Sequence, residues 1–209
     1  VKQAPDGATS AEAVTRVSGA EARRLGIDAV KGLSTVVPNF YMPDYGSRMT
    51  SSIYVRGFGA RMDQPVVGLT VDNIPYLNKD AYDFDVPDIE GIEVLRGAQS
   101  VLNGRNTMGG QINVRTLSPL RAKGLRTMVH YGSANTVRAS ASYYARLIPE
   151  LGMSVAGQFA HTDGFFRNEY DGSRLDHENS GSLRWKTAWR PSSALSVSNV
   201  AAFGANRQG

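Results

Sequence analysis

The 209-residue sequence contains no cysteine, which excludes disulfides and thiolate metal sites. No apolar run approaches the ~18 residues that a membrane-spanning helix needs. That lack leaves a β-barrel open, because barrel strands carry a much weaker signal per segment. Val1-Lys2-Gln3 leads into polar sequence and not into the apolar stretch of a signal peptide, so an exported protein of this sequence is expected to be mature or trimmed. The three histidines, His130, His161 and His177, fall in separate segments without metal-ligand spacing, and structural roles are expected for them. Excess charge is also small, at +4, and Lys and Arg are scattered, so no nucleic-acid surface is expected. There is no nucleophile–base pair, metal triad or nucleotide loop, which points away from an enzyme, a metal site and a cofactor.

Glycine and β-branched residues are well supplied. The 22 glycines and 9 prolines imply many turns, and 41% apolar residues suffice for a core. The most informative stretch is Asp88 to Thr116, DIEGIEVLRGAQSVLNGRNTMGGQINVRT. Ile89 to Leu95 alternates apolar and polar residues as a strand does, and Arg96-Gly97 breaks it. A helix-like run follows over Ala98 to Leu102, then turn residues at Asn103-Gly104, Asn106 and Gly109-Gly110, then a strand over Gln111 to Arg115. A phosphate loop does not fit, because GxxxxGK[ST] spacing is absent and Gly104 opens no long helix.

IEVLRGAQSVLNGRNTMGGQINV resembles the plug-domain signature of TonB-dependent outer-membrane receptors, the energised importers of Gram-negative bacteria. Two upstream blocks agree in order: SIYVRGFG, Ser52 to Gly59, and VVGLTVDNIPY, Val66 to Tyr76. Asn103 departs from the family, which usually carries an aromatic before the glycine. The resemblance spans about Thr15 to Pro119. It implies a small mixed sheet with flanking helices.

Upstream, Val1 to Glu12 reads as a tail and Val14 to Val17 as a short edge strand. Ser18 with Glu21 forms a capping-box pattern for a helix over about Ala20 to Leu25. A second helix is expected from Asp28 to Leu33, with Pro38 as its limit. Asp80, Asp83 and Asp85 lack the glycine and terminal Glu of a calcium loop, so a solvated acidic loop is expected there.

After Pro119 the texture changes to alternating runs. Leu125, Thr127, Val129 and Tyr131 form the first, Val137 to Leu147 the second, and Met153 to Phe159 the third. Leu183, Trp185, Thr187 and Trp189 form the fourth, and Leu195 to Phe203 the fifth. Their length suits tilted strands that cross a bilayer, for which about 9–11 residues suffice. The turns alternate too: short at Pro149 to Gly152, long at Gly164 to Asn179, short at Pro191 to Ser193. Periodicity alone also fits a soluble sandwich, and the resemblance selects the barrel. The expected fold is therefore an α+β plug domain over 1–118, followed by antiparallel strands of a truncated transmembrane β-barrel over 119–209. Five strands cannot close around a plug, since plugged outer-membrane transporters use about twenty-two. The chain is thus expected to be an N-terminal piece of a longer receptor.

The resemblance implies import of a scarce ligand, an iron–siderophore complex being the first expectation and cobalamin, haem or a glycan the alternatives. A passive porin or adhesin is a different class of reading, and neither needs a plug. The implied partners are TonB in the periplasm, a siderophore-type small molecule and outer-membrane lipid. No convincing TonB box is visible before Thr15, and that segment is expected upstream of Val1. Arg56 and Arg96, the RGFG and LRG arginines, are expected to anchor the plug on carboxylates of the barrel wall, with Glu90 and Glu93 as local partners. Ligand contacts are expected from the plug loops: Arg61, Tyr76, Asn78, Tyr82, Asn103 and Arg105.

Overall fold

Ile92 and Val94 stand opposite Val114 and Ile112 on neighbouring strands, so that β-branched side chains at a period of two pack together at the centre of a sheet. The computed structural model describes residues 13–27, 29–43, 52–59, 64–98 and 106–208. Its N-terminal unit contains β1 (Ala13–Ser18), β2 (Phe40–Tyr41), β3 (Tyr54–Val55), β4 (Phe58–Gly59), β5 (Val67–Val71), β6 (Ile74–Tyr76), β7 (Ile89–Arg96) and β8 (Gly110–Thr116). Five of these form one sheet in the order β1-β7-β8-β5-β6, with β5 and β8 parallel and the other pairs antiparallel. The short β2, β3 and β4 form a second sheet.

Local chemistry sets the elements between them. Ser18 Oγ accepts the Glu21 amide at 3.2 Å and starts helix α1 (Gly19–Arg24), as the capping pattern predicts. The segment expected to be a second helix is a 3-10 helix over Val30–Thr35, short of Pro38. Arg56 and Gly57, both with positive φ, form the two-residue turn of the β3–β4 hairpin. Asp72 and Asn73 do the same between β5 and β6, in the conformation that matches the twist of the strands. Gly68 has no alternative, because a Cβ there would run into the side chains of Gln111 and Thr107. Leu33, Val55, Val67, Leu69, Ile92, Val94, Ile112 and Val114 lead a contiguous core that lies entirely within this unit.

Residues 117–123 lead into a five-stranded meander: β9 (Gly124–Gly132), β10 (Thr136–Ile148), β11 (Leu151–Thr162), β12 (Glu178–Trp189) and β13 (Val197–Gln208), paired antiparallel in chain order. Its two faces differ in kind. Leu125, Val129, Tyr143, Val155, Phe159, Leu183, Trp185 and Phe203 are exposed on one face. The opposite face carries Ser142, Ser154, Gln158, Ser180, Arg184 and Lys186, all buried against the N-terminal unit. This is the inverse of a soluble sandwich, whose sheets turn apolar residues toward each other.

At one end of the meander lie the connections 149–150 and 190–196; at the other lie 133–135 and the long 163–177. The turn expected at Pro191 to Ser193 runs to 196, and the fifth strand begins at Val197, not Leu195. In the long connection the Asp176 carboxylate accepts the amides of Phe165 and Phe166, each at 2.8 Å. His161 bonds Asn179 at 2.8 Å and Asp163 at 3.1 Å, a structural role at the base of that loop.

Candidate functional site

The β5–β6 turn aims Asp72 at the meander, and the neighbouring end of β8 adds Thr116. Asp72 accepts the Thr116 amide at 3.0 Å and its hydroxyl at 2.6 Å. From β12, Lys186 Nζ approaches Asp72 Oδ1 at 3.1 Å and donates to Thr116 Oγ1 at 2.9 Å. Every group in this triad has a partner. Two residues along the same face of β12, Arg184 Nη1 lies 3.7 Å from Asp88 Oδ1 and 3.9 Å from Asp72 Oδ2. Those separations attract without hydrogen bonding. The Arg184 and Asp88 side chains are 5% and 1% exposed, and neither Asp88 oxygen has a hydrogen-bond partner. Burial pushes the Asp88 carboxyl above its ordinary range, with Arg184 opposing that rise and Asp72 adding to it. Higher on β12, Ser180 Oγ donates to Asp85 at 3.2 Å. Asp85 is therefore buried at the seam and does not belong to a solvated acidic loop.

The residues expected to anchor the plug have other partners among the described residues. The Arg96 guanidinium donates to the carbonyls of Pro38 at 3.2 Å and Ala13 at 3.4 Å, tying β1 and the segment after the 3-10 helix to β7. Arg56 is exposed at its hairpin turn. Glu93 pairs with Arg16 and Arg115, and Glu90 with Arg121; neither serves Arg56 or Arg96. Among the described residues, the pairs that cross between the two units place carboxylates on the N-terminal unit and cations on the meander, the reverse of the sign expected.

The expected ligand contacts separate. Arg61, Asn103 and Arg105 lie outside the described residues, as does the helix-like run from Gln99 to Leu102. Tyr82 is in the core at 1% exposure, its hydroxyl donating to the carbonyls of Val67 at 3.1 Å and Tyr76 at 3.3 Å. A loop position suggested an outward tyrosine, but the phenol instead fastens β5 to the end of β6. Burial holds that phenol at a pKa of about 12. Tyr76 is half-buried and stacks on Phe84, with ring centroids 4.7 Å apart. Both line a cleft of about 350 Å³ against Ser182, Arg184 and Asn206 of the meander. Asn78 is exposed beside it.

Three residues not anticipated stand out at the end of the sheet away from Asp72. Asn106 Nδ2 donates to the Leu77 carbonyl at 3.3 Å, and the Gly109 amide to the Val66 carbonyl at 2.8 Å, which gathers these loops together. Phe58, Leu77 and Met108 protrude there, 70%, 56% and 75% exposed. A large apolar residue isolated in a Gly-rich turn, as in RGFG and TMGG, is the signal that could have found two of them.

The sequence profile of the TonB-dependent receptor plug domain matches residues 6–111, just over half of the chain. The chain belongs to the TonB-dependent receptor family. Over 107 residues it is 34% identical to the pesticin receptors of Yersinia enterocolitica and Yersinia pestis, a stretch covering 50% of this chain and 16% of each receptor. Over 142 residues it is 28% identical to the vitamin B12 transporter BtuB of Vibrio vulnificus, covering 62% of this chain and 22% of that one. The crystal structure of the ferric yersiniabactin uptake receptor FyuA from Yersinia pestis matches with a TM-score of 0.82 and 25% identity, over 93% of this chain and 32% of FyuA. The chain thus spans about a third or less of the relatives it matches. Its fold is a plug domain followed by antiparallel strands of the receptor barrel, and the triad of Asp72, Thr116 and Lys186 joins plug to wall. Members of this family are receptors and transporters, not enzymes.

Proposed function

We propose that this chain is the plug and first wall of an outer-membrane importer of a Gram-negative bacterium, energised through TonB, whose cargo is an iron–siderophore complex. The observation that carries the reading is the double character of the meander: apolar residues face away, and polar and cationic residues close on plug carboxylates. A sheet that turns its greasy face outward needs lipid as its environment, while an inner face that grips a folded unit makes that unit a gate. A passive pore or adhesin gives no reason for the second feature. Iron–siderophore cargo is supported by the likeness to a ferric yersiniabactin uptake receptor. The vitamin B12 transporter among the relatives makes cobalamin the second reading.

The ligand-facing end is proposed to be three plug loops, Gly59 to Gln64 with Arg61, the loop that carries Tyr76 and Asn78, and Asn103 to Met108 with Asn103 and Arg105, with Phe58, Leu77 and Met108 as apolar contacts. Arg gives fixed fork geometry toward anionic oxygens, and aromatic or thioether groups supply flat or adaptable surface. Arg56 and Arg96 are proposed to meet carboxylates contributed by the remainder of the barrel. The test is radio-iron uptake by iron-starved cells that express the intact receptor. Uptake of one ferric siderophore that requires both the receptor and TonB is expected. Uptake of labelled cobalamin with no siderophore transported would replace the cargo, and uptake without TonB would remove the mechanism.

A further inference from the structure

Asp88 and Arg184 sit in a position that their neighbours Asp72 and Lys186 do not share. Both are charged and nearly fully buried, yet their nearest atoms stop at 3.7 Å, and the Arg184 Nε and Nη1 and both Asp88 oxygens lack hydrogen-bond partners. A buried ion pair recovers its desolvation cost only with close geometry and further hydrogen bonds. Asp72 and Lys186 meet that condition through Thr116. Asp88 and Arg184 do not, and the raised carboxyl of Asp88 carries the same sign.

The pair also lies one strand from β1, the first described strand of the plug. β1 runs antiparallel along β7, with Val17 opposite Ile92 and Ser18 opposite Gly91. Asp88 immediately precedes β7, and its carbonyl accepts the amide of Leu117, at the start of the connection to the wall, at 2.9 Å. Tension on the N-terminal side of β1 therefore passes through the β1–β7 ladder to the residue facing Arg184.

We propose that Asp88 and Arg184 form a release element: a buried, under-bonded pair that keeps the docked plug close in energy to the displaced one, while Asp72, Thr116 and Lys186 hold it. The element rests on the reading of the plug as a gate. It assigns opposite effects to two buried ion pairs on one strand. Displacement lets water reach Asp88 and Arg184, which offsets part of what is lost when Lys186 leaves Asp72.

The experiment pulls the intact receptor by its N-terminus in a bilayer and records the force at which the plug leaves the wall, alongside the rate of energised uptake. Replacing the pair by apolar side chains, Asp88→Leu with Arg184→Met, is expected to raise the release force and slow uptake at least about fivefold, since such replacements are often net stabilising. Asp88→Asn with Arg184→Gln, a gentler change that keeps shape and polarity, is expected to move both readouts the same way. Asp72→Asn with Lys186→Gln is expected to lower the force. An Asp88/Arg184 double variant that releases at unchanged or lower force overturns the proposal. The force measurement stands even if no siderophore is transported, so failure of the import reading is seen separately in the uptake arm.

Discussion

Lys186 on β12 meets Asp72 in the β5–β6 turn with Nζ 3.1 Å from Oδ1, and both side chains are about nine-tenths buried. The amine also bonds the Thr116 hydroxyl, which in turn donates to Asp72, so charge and hydrogen bonds close into one ring across the seam. A carboxylate on the plug and an ammonium on the wall thus define how the two parts sit together.

The Tyr82 hydroxyl is a plug fastener, and Tyr82→Phe should destabilise the plug by about 1 kcal/mol, the usual net worth of a hydrogen bond. Ligand affinity should change no more than that loss of stability explains. Calorimetric unfolding together with ligand titration checks both. A large loss of affinity with unchanged unfolding would return Tyr82 to the ligand-facing set.

Leu183 lies mid-strand on the outward face of β12, 53% exposed in this chain. If that face meets hydrocarbon, Leu183→Arg should cost about 2–4 kcal/mol, against about 0–1 for Val197→Arg at the strand end near the turn. Reversible folding of the intact receptor into liposomes measures the difference. Equal, small costs at both positions would contradict a lipid-facing sheet.

The strands, the capping residue Ser18 and the outward apolar alternation of Leu125, Tyr143 and Trp185 were legible because they are set by neighbours in sequence. The seam was not. Asp72 looks like a turn residue, which it also is, with φ at 51°. Arg184 and Lys186 look like the wet side of a strand, and only the placement of β12 against the plug turns them into buried cations. The same long-range placement hides Tyr82, whose loop folds inward under β5. Arg96, expected from its motif to meet a carboxylate of the wall, has main-chain carbonyls within the plug as its described partners.

Docking should depend on pH through Asp88. Its carboxyl is raised by burial, so protonation favours the docked state: the contribution is fully present below the ordinary value of 3.8 and is lost as pH rises through the elevated one. Arg184 and Lys186 across the seam oppose that rise and Asp72, on the plug beside it, adds to it, while Tyr144 and Arg126 of β10 and β9 line the same cavity. Acidification from neutral pH toward that value should slow proteolysis of the plug in the intact receptor, and Asp88→Asn should flatten the dependence. A plug that becomes more labile over that range in the parent, and equally so in the variant, would contradict this assignment.

The central claim is that the plug is held on the barrel wall by the Asp72–Lys186 pair, and a double-mutant cycle read by hydrogen exchange of the β5 and β8 amides in the intact, bilayer-embedded receptor tests it most directly. Lys186→Met alone leaves a buried carboxylate without its cation and should cost about 3–5 kcal/mol of protection. Asp72→Asn alone should cost a similar amount, and the two together should cost less than their sum by about 0.5–3 kcal/mol. Single variants with unchanged protection, or effects that simply add, would show that plug and wall are held together elsewhere.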